Sequence, residues 1–344
     1  MMTLMINSAH SASLMTAEDP QNTVELTRKL ELSSDAILFR GDHGVGLERL
    51  ALKPLQDGDL VVDVDWSGVS TGTERLLWSG AMPPFPGLSY PLVPGYEAVG
   101  RVVHAEGAPN WTGAHVFVPG ASCYENAAGL FGASASRLVI PEARAVRLDA
   151  RGTQSDVLLA LAATAHHAIA RADLPELIIG HGVLGQLVAR LVLALGGAAP
   201  TVWDTNPDRR KAQGYLVLHP AEDEGRAYTN ICDVSGNVDA IDQAISRAAK
   251  GAEITLAGFY SDRVSFAFPP AFMREVSFKI AAEWQPSDME AVLTLRRKGL
   301  LSLDGLVTHR ATPDDAAGAY ETAFTEATCL KMVLDWRGHH DHLA

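Results

Sequence analysis

Gly180-His181-Gly182-Val183-Leu184-Gly185 follows the apolar run Leu177-Ile178-Ile179 and opens a helical stretch from Val183 to Leu195. A strand, a G-x-G-x-x-G loop and a helix in that order form the phosphate-binding turn of a doubly wound parallel sheet. Gly180 allows the tight turn, Gly182 lets a pyrophosphate approach the backbone, and Gly185 lets the helix lie close to the strand. The helix start, Val183 and Leu184 included, offers free N–H groups and partial positive charge to an anion. Asp204 ends the next predicted strand, where a carboxylate accepts both ribose hydroxyls of NAD and repels the extra phosphate of NADP. Arg209 and Arg210 are the competing signal, since they suit a 2′-phosphate. Asp204 decides for NAD. Ser235, just past the strand Ile231 to Val234, falls on the same ligand-facing edge, or simply turns the chain.

The rest of the chain is consistent with that nucleus. Its 344 residues suffice for about two domains. Predicted strands at Leu177–Ile179, Thr201–Asp204, Leu216–Leu218, Ile231–Val234, Ile254–Phe259 and Val276–Ala281 alternate with helices such as 183–195 and 240–250. A long helix over 156–172 precedes them. Before it, residues 24–40, 47–70, 98–104, 114–118, 136–140 and 145–148 read as strands, with a proline-rich loop over 79–95. That part predicts an all-β, barrel-like domain. Helices at 287–298 and 313–325 and a strand at 330–334 close the chain, and the strand can return to pair with the first part. The expected organisation is a tail over 1–22, one domain from 23–155 and 286–336, an inserted dinucleotide domain over 156–285, and a tail over 337–344.

Charge and cysteine content narrow the function. With 28 basic and 41 acidic residues the net charge is −13, which disfavours general nucleic-acid binding. The three cysteines, Cys123, Cys232 and Cys329, lie far apart and suit a reducing cytoplasm. No apolar run reaches the roughly 18 residues of a membrane span. His339-His340-Asp341-His342 reads as a solvated end rather than a metal tract.

Four segments carry a family resemblance: Trp66-Ser67-Gly68-Val69-Ser70, Pro94-Gly95-Tyr96-Glu97-Ala98-Val99-Gly100, the glycine loop, and Leu330-Lys331-Met332-Val333-Leu334. Together they resemble the medium-chain dehydrogenase/reductase superfamily. The resemblance implies an α/β chain with a GroES-like β-barrel catalytic domain and an inserted Rossmann domain, assembled as a dimer or tetramer. Zinc members carry a cysteine, a histidine and a third ligand where this chain has Ser70, Tyr96 and Ala160, so the resemblance is to a zinc-free branch. Ser67 to Glu74, Pro94 to Glu97, the glycine loop and Val202 to Pro207 are similar to the bacteriochlorophyllide dehydrogenases. That family oxidises the 3-(1-hydroxyethyl) group of a bacteriochlorophyllide, a tetrapyrrole, to acetyl with NAD.

Oxidising an alcohol without a metal requires a side chain to handle the hydroxyl proton. The resemblance brings Ser70, Thr73, Tyr96, Glu97 and His166 near the nicotinamide. His166 has the intrinsic basicity for the task, or is a helix histidine bonded to structure. Tyr96 binds the substrate oxygen, or fills the space of the absent metal. Glu97 orients a partner, or accepts an N–H in the turn. Ser70 and Thr73 relay a proton, or bond the backbone. Phe85, Tyr90 and Trp78 of the proline-rich loop offer aromatic faces for a flat pigment, or belong to an ordinary surface loop. Lys331 reads as an exposed strand-start lysine, or a contact to phosphate. Two rival functions remain at this point: a zinc-free quinone or enone reductase, and a nucleotide-sensing protein without turnover.

Overall fold

The computed structural model describes residues 32–340 except 85, 171–172, 212–213, 226 and 261–262. The predicted 1–22 tail, Phe85, the end of the 156–172 helix, and Asp341 and His342 therefore lie outside the described residues. The first part comprises β1 (Ser33–Phe39), β2 (Val45–Ala51), β3 (Asp59–Val69), α1 (Thr73–Trp78), β4 (Leu92–Val93), β5 (Ala98–Ala105), β6 (His115–Val118), β7 (Ala128–Gly129), β8 (Arg137–Pro141) and β9 (Val146–Arg147). Then follow α2 (Leu159–Ile169), β10 (Leu177–Ile179), α3 (Val183–Ala194), β11 (Thr201–Trp203), β12 (Leu216–Leu218), β13 (Tyr228–Asp233), α4 (Asp239–Arg247), β14 (Ala248–Leu256), α5 (Phe268–Arg274) and β15 (Ser277–Ile280). The chain closes with α6 (Pro286–Arg297), β16 (His309–Ala311), α7 (Ala316–Thr325) and β17 (Met332–Asp335).

Six parallel strands form one sheet in the order β12-β11-β10-β13-β14-β15. β10 sits inside it because Leu177, Ile178 and Ile179 are buried on both faces, as a covered parallel strand requires. The order reverses beside β10, and a crevice forms where β10 and β13 deliver their carboxyl ends. The first part builds two further sheets. One is β2-β1-β4-β7; the other is β16-β17-β3-β5-β6-β9, with β8 also on β3. β17 returns antiparallel to β3, with Met332 opposite Val69 and Asp335 opposite Trp66.

Several local expectations need correction. The predicted 47–70 run is two strands, β2 and β3, separated by a turn at 57–58. The first domain is not wholly β: α1 interrupts it, and β4 lies within the predicted loop 79–95. The helix predicted from 156 opens as a 3-10 turn at Gln154–Leu158 before α2 begins. The helix predicted to 250 stops at Arg247, where Ala248 turns extended and starts β14.

One apolar cluster joins the two halves. Trp66, Val99, Phe117 and Val333 from the strand-rich part pack with α2, α3 and Met289 and Val292 of α6. Burial of this kind contributes about 25 cal/mol per Å² of apolar surface. The crevice beside it therefore has firm walls.

Candidate active site

A cleft of about 1670 Å³ runs between the strand-rich part and the parallel sheet. Ligand pockets typically span about 300–1,000 Å³, so this one has room for a dinucleotide and a second large molecule. On the sheet side its wall includes Gly180, Gly182, Val183, Leu184, Gly185, Asp204 and Ser235, all the residues expected to hold the cofactor. The glycines fill the roles their spacing implies. Gly180 has φ +100°, which suits a residue without Cβ. A Cβ on Gly185 would come within 1.9 Å of the Gly180 carbonyl oxygen. At Gly182 a Cβ would meet only an Arg209 nitrogen, at 4.0 Å, which leaves the approach to the backbone open.

Asp204 holds the loop as well as facing the cleft. Its Oδ2 accepts the His181 N–H at 2.8 Å and its Oδ1 accepts the Asn206 N–H at 2.8 Å. Each oxygen keeps lone-pair capacity toward the cleft, as ribose hydroxyls need. Ser235 Oγ donates to Asp233 Oδ1 at 2.7 Å, and the Ser235 backbone packs over Gly180. Arg210, one of the competing 2′-phosphate residues, is paired with Glu222. The donor set and open backbone fit a dinucleotide.

Across the cleft, Ser70 Oγ and Tyr96 Oη lie 2.6 Å apart, joined by one hydrogen bond. Thr73, at the start of α1, also lines the cleft. Burial first, and then the neighbouring Glu97 charge, pushes the Tyr96 phenol well above its usual range, so it stays protonated. Behind this pair lies Glu74, whose Oε1 accepts the Ser70 N–H at 2.9 Å. Burial pushes the Glu74 carboxyl up to about 8. Among the described residues no group of three or more His, Cys, Asp and Glu gathers to hold a metal.

A catalytic His166, an exposed Lys331 and pigment-facing loop aromatics fail on geometry, while Glu97 does orient a partner. His166 does not line the cleft; its Nδ1 is 2.8 Å from Asp288 Oδ1. The face of α2 that lines the cleft is Ala160, Leu161 and Thr164, and two further residues turn a helix about 200° away. Glu97 is also outside the cleft wall. Its Oε2 takes the Lys331 ammonium at 2.7 Å, both side chains being 1% exposed. Lys331 also donates to the Val69 carbonyl, at 3.1 Å, so it is a buried strut and not an exposed lysine. A Cβ on Gly68 would meet Glu97 Oε2 at 2.2 Å, so only glycine there leaves room for this carboxylate. Finally, Trp78 and Tyr90 bond to the carbonyls of His43 and Leu77 and do not line the cleft.

Other residues supply the apolar walls. Met82, Leu130, Phe131, Trp284 and Met289 line the catalytic end, and Ala257-Gly258-Phe259 and Ala281-Ala282 line the ends of β14 and β15. Sequence reasoning missed these. For Ala257-Gly258-Phe259 and Ala281-Ala282 the usable signal was their place at the carboxyl ends of predicted parallel strands, the edge that faces ligand.

No family model matches the sequence. Among solved structures, L-idonate 5-dehydrogenase from Escherichia coli is similar with a TM-score of 0.78 at 16% identity, over 89% of this chain and 99% of that one. A short chain alcohol dehydrogenase from E. coli CFT073, complexed with NADH, gives 0.77 at 18% identity, over 88% and 99%. A zinc-binding dehydrogenase from Sinorhizobium meliloti, bound to NADP, gives 0.75 at 16% identity, over 88% and 99%. These likenesses show the fold. Two curated relatives go further. A protein from Rhodobacter capsulatus is 52% identical over 313 residues, 89% of this chain and 99% of its own length. One from Cereibacter sphaeroides is 50% identical over 317 residues, with the same coverage. Both are named 2-desacetyl-2-hydroxyethyl bacteriochlorophyllide A dehydrogenase. Likeness of this depth over nearly the whole of both relatives makes the chain a member of the 2-desacetyl-2-hydroxyethyl bacteriochlorophyllide A dehydrogenase family.

Proposed function

We propose that the chain oxidises the hydroxyethyl group of a bacteriochlorophyllide to acetyl, with NAD as hydride acceptor. The near full-length likeness to the two relatives carries the substrate. The Ser70–Tyr96 pair facing a cleft large enough for pigment and dinucleotide supports the chemistry. A bound nicotinamide supplies the hydride acceptor. Tyr96, kept protonated by burial, hydrogen-bonds the alcohol oxygen and fixes the carbinol carbon toward the sheet. As the hydride passes to the nicotinamide, the hydroxyl proton moves to Tyr96, the Tyr96 proton to Ser70, and the Ser70 proton to water in the cleft. Each hydroxyl accepts one proton while releasing another, so no phenolate forms. Thr73 stands next to this route and faces the same cleft. Ser70, Tyr96 and Ala160 offer no thiolate or imidazole, which supports catalysis without zinc.

NAD is favoured over NADP because the Asp204 carboxylate faces the cleft and Arg210 is engaged by Glu222. The chain acts as a homo-oligomer in the cytoplasm. The exposed apolar edge at β15 supports the first part of that reading and three free, buried cysteines support the second. No described helix is long and apolar enough to cross a membrane.

The test is turnover of the hydroxyethyl pigment with each dinucleotide. Wild type should prefer NAD, and Asp204→Ala should weaken NAD by about 1–3 kcal/mol, as expected for loss of a hydrogen-bonded charge. Equal use of NADP by wild type would overturn the role of Asp204. Indifference to the pigment would overturn the substrate.

A further inference from the structure

Four cations line the cleft: Arg144, Arg147, Arg209 and Lys331. Three of them are engaged. Lys331 is bound to Glu97. Arg209 lies beside the glycine loop and donates to the Ala327 carbonyl at 3.1 Å. The Arg147 guanidinium lies 4.4 Å from the Trp111 ring centre and donates to the Asn110 carbonyl at 3.0 Å. Arg144 differs. It is exposed, and among the described residues no ion pair or hydrogen bond holds its side chain. On a chain of net charge −13, a free guanidinium in the wall of the main cleft marks a place for an anion.

Strand register locates it relative to the reacting hydroxyls. Val99 lies opposite Phe117, and Phe117 opposite Val146, so β5, β6 and β9 lie side by side. Both pairings are antiparallel, so β5 and β9 run in the same direction. Tyr96 precedes Val99 by three residues and Arg144 precedes Val146 by two. Tyr96 and Arg144, the latter closing the 3-10 turn Glu142–Arg144, therefore stand just before the starts of β5 and β9, whose backbones lie two strand spacings, about 10 Å, apart. That separation is comparable to the breadth of a tetrapyrrole macrocycle.

A chlorophyllide is a tetrapyrrole whose propionate side chain is not esterified. It is a rigid plate carrying one carboxylate at its edge. We propose that Arg144 anchors this carboxylate and so selects the free acid over esterified pigment; the proposal rests on the substrate reading above. A guanidinium receives a carboxylate through two parallel hydrogen bonds, which fixes direction as well as position. With the plate held at that edge, and its face against Leu130, Phe131 and Trp284, the hydroxyethyl group has a defined approach to Tyr96. The reaction class that consumes the product by esterifying this carboxylate must then act after this enzyme.

The experiment measures KM and kcat for the hydroxyethyl bacteriochlorophyllide and for its propionate methyl ester, with wild type, Arg144→Ala and Arg144→Lys. Wild type should favour the acid. Arg144→Ala should raise KM for the acid about tenfold, as loss of a charge-assisted pair implies, with kcat and the ester's KM unchanged. Arg144→Lys should recover part of the loss. Equal losses for acid and ester, or no loss for the acid, overturn the anchor while leaving the substrate intact. If wild type turns over neither pigment, the substrate reading falls and the anchor falls with it.

Discussion

Tyr96 and Glu74 carry opposite assignments within a few ångströms of the same serine. Tyr96 meets the cleft and Glu74 does not, although burial raises both. Tyr96→Phe removes the hydroxyl proposed to bind the substrate oxygen, and turnover should fall by about 10² or more, the scale of a lost proton-handling group. NAD affinity should hold, because Tyr96 is not part of the glycine loop that cradles the phosphates. A single-turnover measurement alongside cofactor titration separates these effects. Glu74 makes a prediction about stability. Its carboxyl titrates at about 8 in the folded chain against 4.5 ordinarily. Between those values the folded state holds the extra proton, so stability falls as pH rises through that window and levels off above it. Glu74→Gln keeps the shape and cannot ionise. Its denaturation midpoint should decline less across the same window than that of wild type. Equal slopes for the two proteins would remove Glu74 from the account.

Two helices, α2 and α6, explain what the histidines do. Asp288 accepts the Gln285 N–H at the start of α6 and both imidazoles of His166 and His167, at 2.8 and 2.9 Å. Burial opposes its charge, but the Gln285 amide and the two imidazoles outweigh that and hold Asp288 below the usual carboxylate range. At the other end of α6, Arg296 pairs with Asp156 at 2.6 Å. Asp288→Ala should cost about 1–3 kcal/mol by chemical denaturation, as loss of a cap and of buried hydrogen bonds implies. His166→Ala should leave turnover near wild type. The legibility of the elements follows from this. β10 and the glycine loop were readable because a short strand buried on both faces and a turn with fixed steric needs leave local marks. The facing of α2 was not, since Leu159–Ile169 is alanine-rich and apolar nearly all round. The burial of Lys331 was not either, because Glu97 lies 234 residues away along the chain. Six residues among serines, threonines and glycines gave α1 no periodicity to read.

On the scale of the whole molecule, the parallel sheet ends at an open edge. β15 is its last strand, Ile280 on it is 79% exposed, and Phe268, Phe272 and Met273 of the adjoining α5 are more than 60% exposed. Apolar patches of this kind mark association surfaces, and a bare strand edge invites pairing. A two-fold partner would cover both at once. Sedimentation should show a homo-oligomer for wild type and a shift toward monomer for Met273→Glu. A monomeric wild type at micromolar concentration would refute the assembly.

The pairing of β17 with β3 has a consequence for synthesis. The parallel sheet occupies one stretch of chain, from Leu177 to Ile280, and can assemble from neighbours in sequence. The catalytic wall cannot. β3 emerges from the ribosome well before its partner Met332–Asp335 and the strut Lys331, which lies 262 residues after Val69. Throughout that interval, one flank of β3 lacks its partner strand and Glu97 lacks its Lys331 counter-ion. Long-range pairing of this kind is slow and leaves an aggregation-prone edge in the meantime. Cofactor affinity should therefore appear in nascent chains well before catalytic competence does.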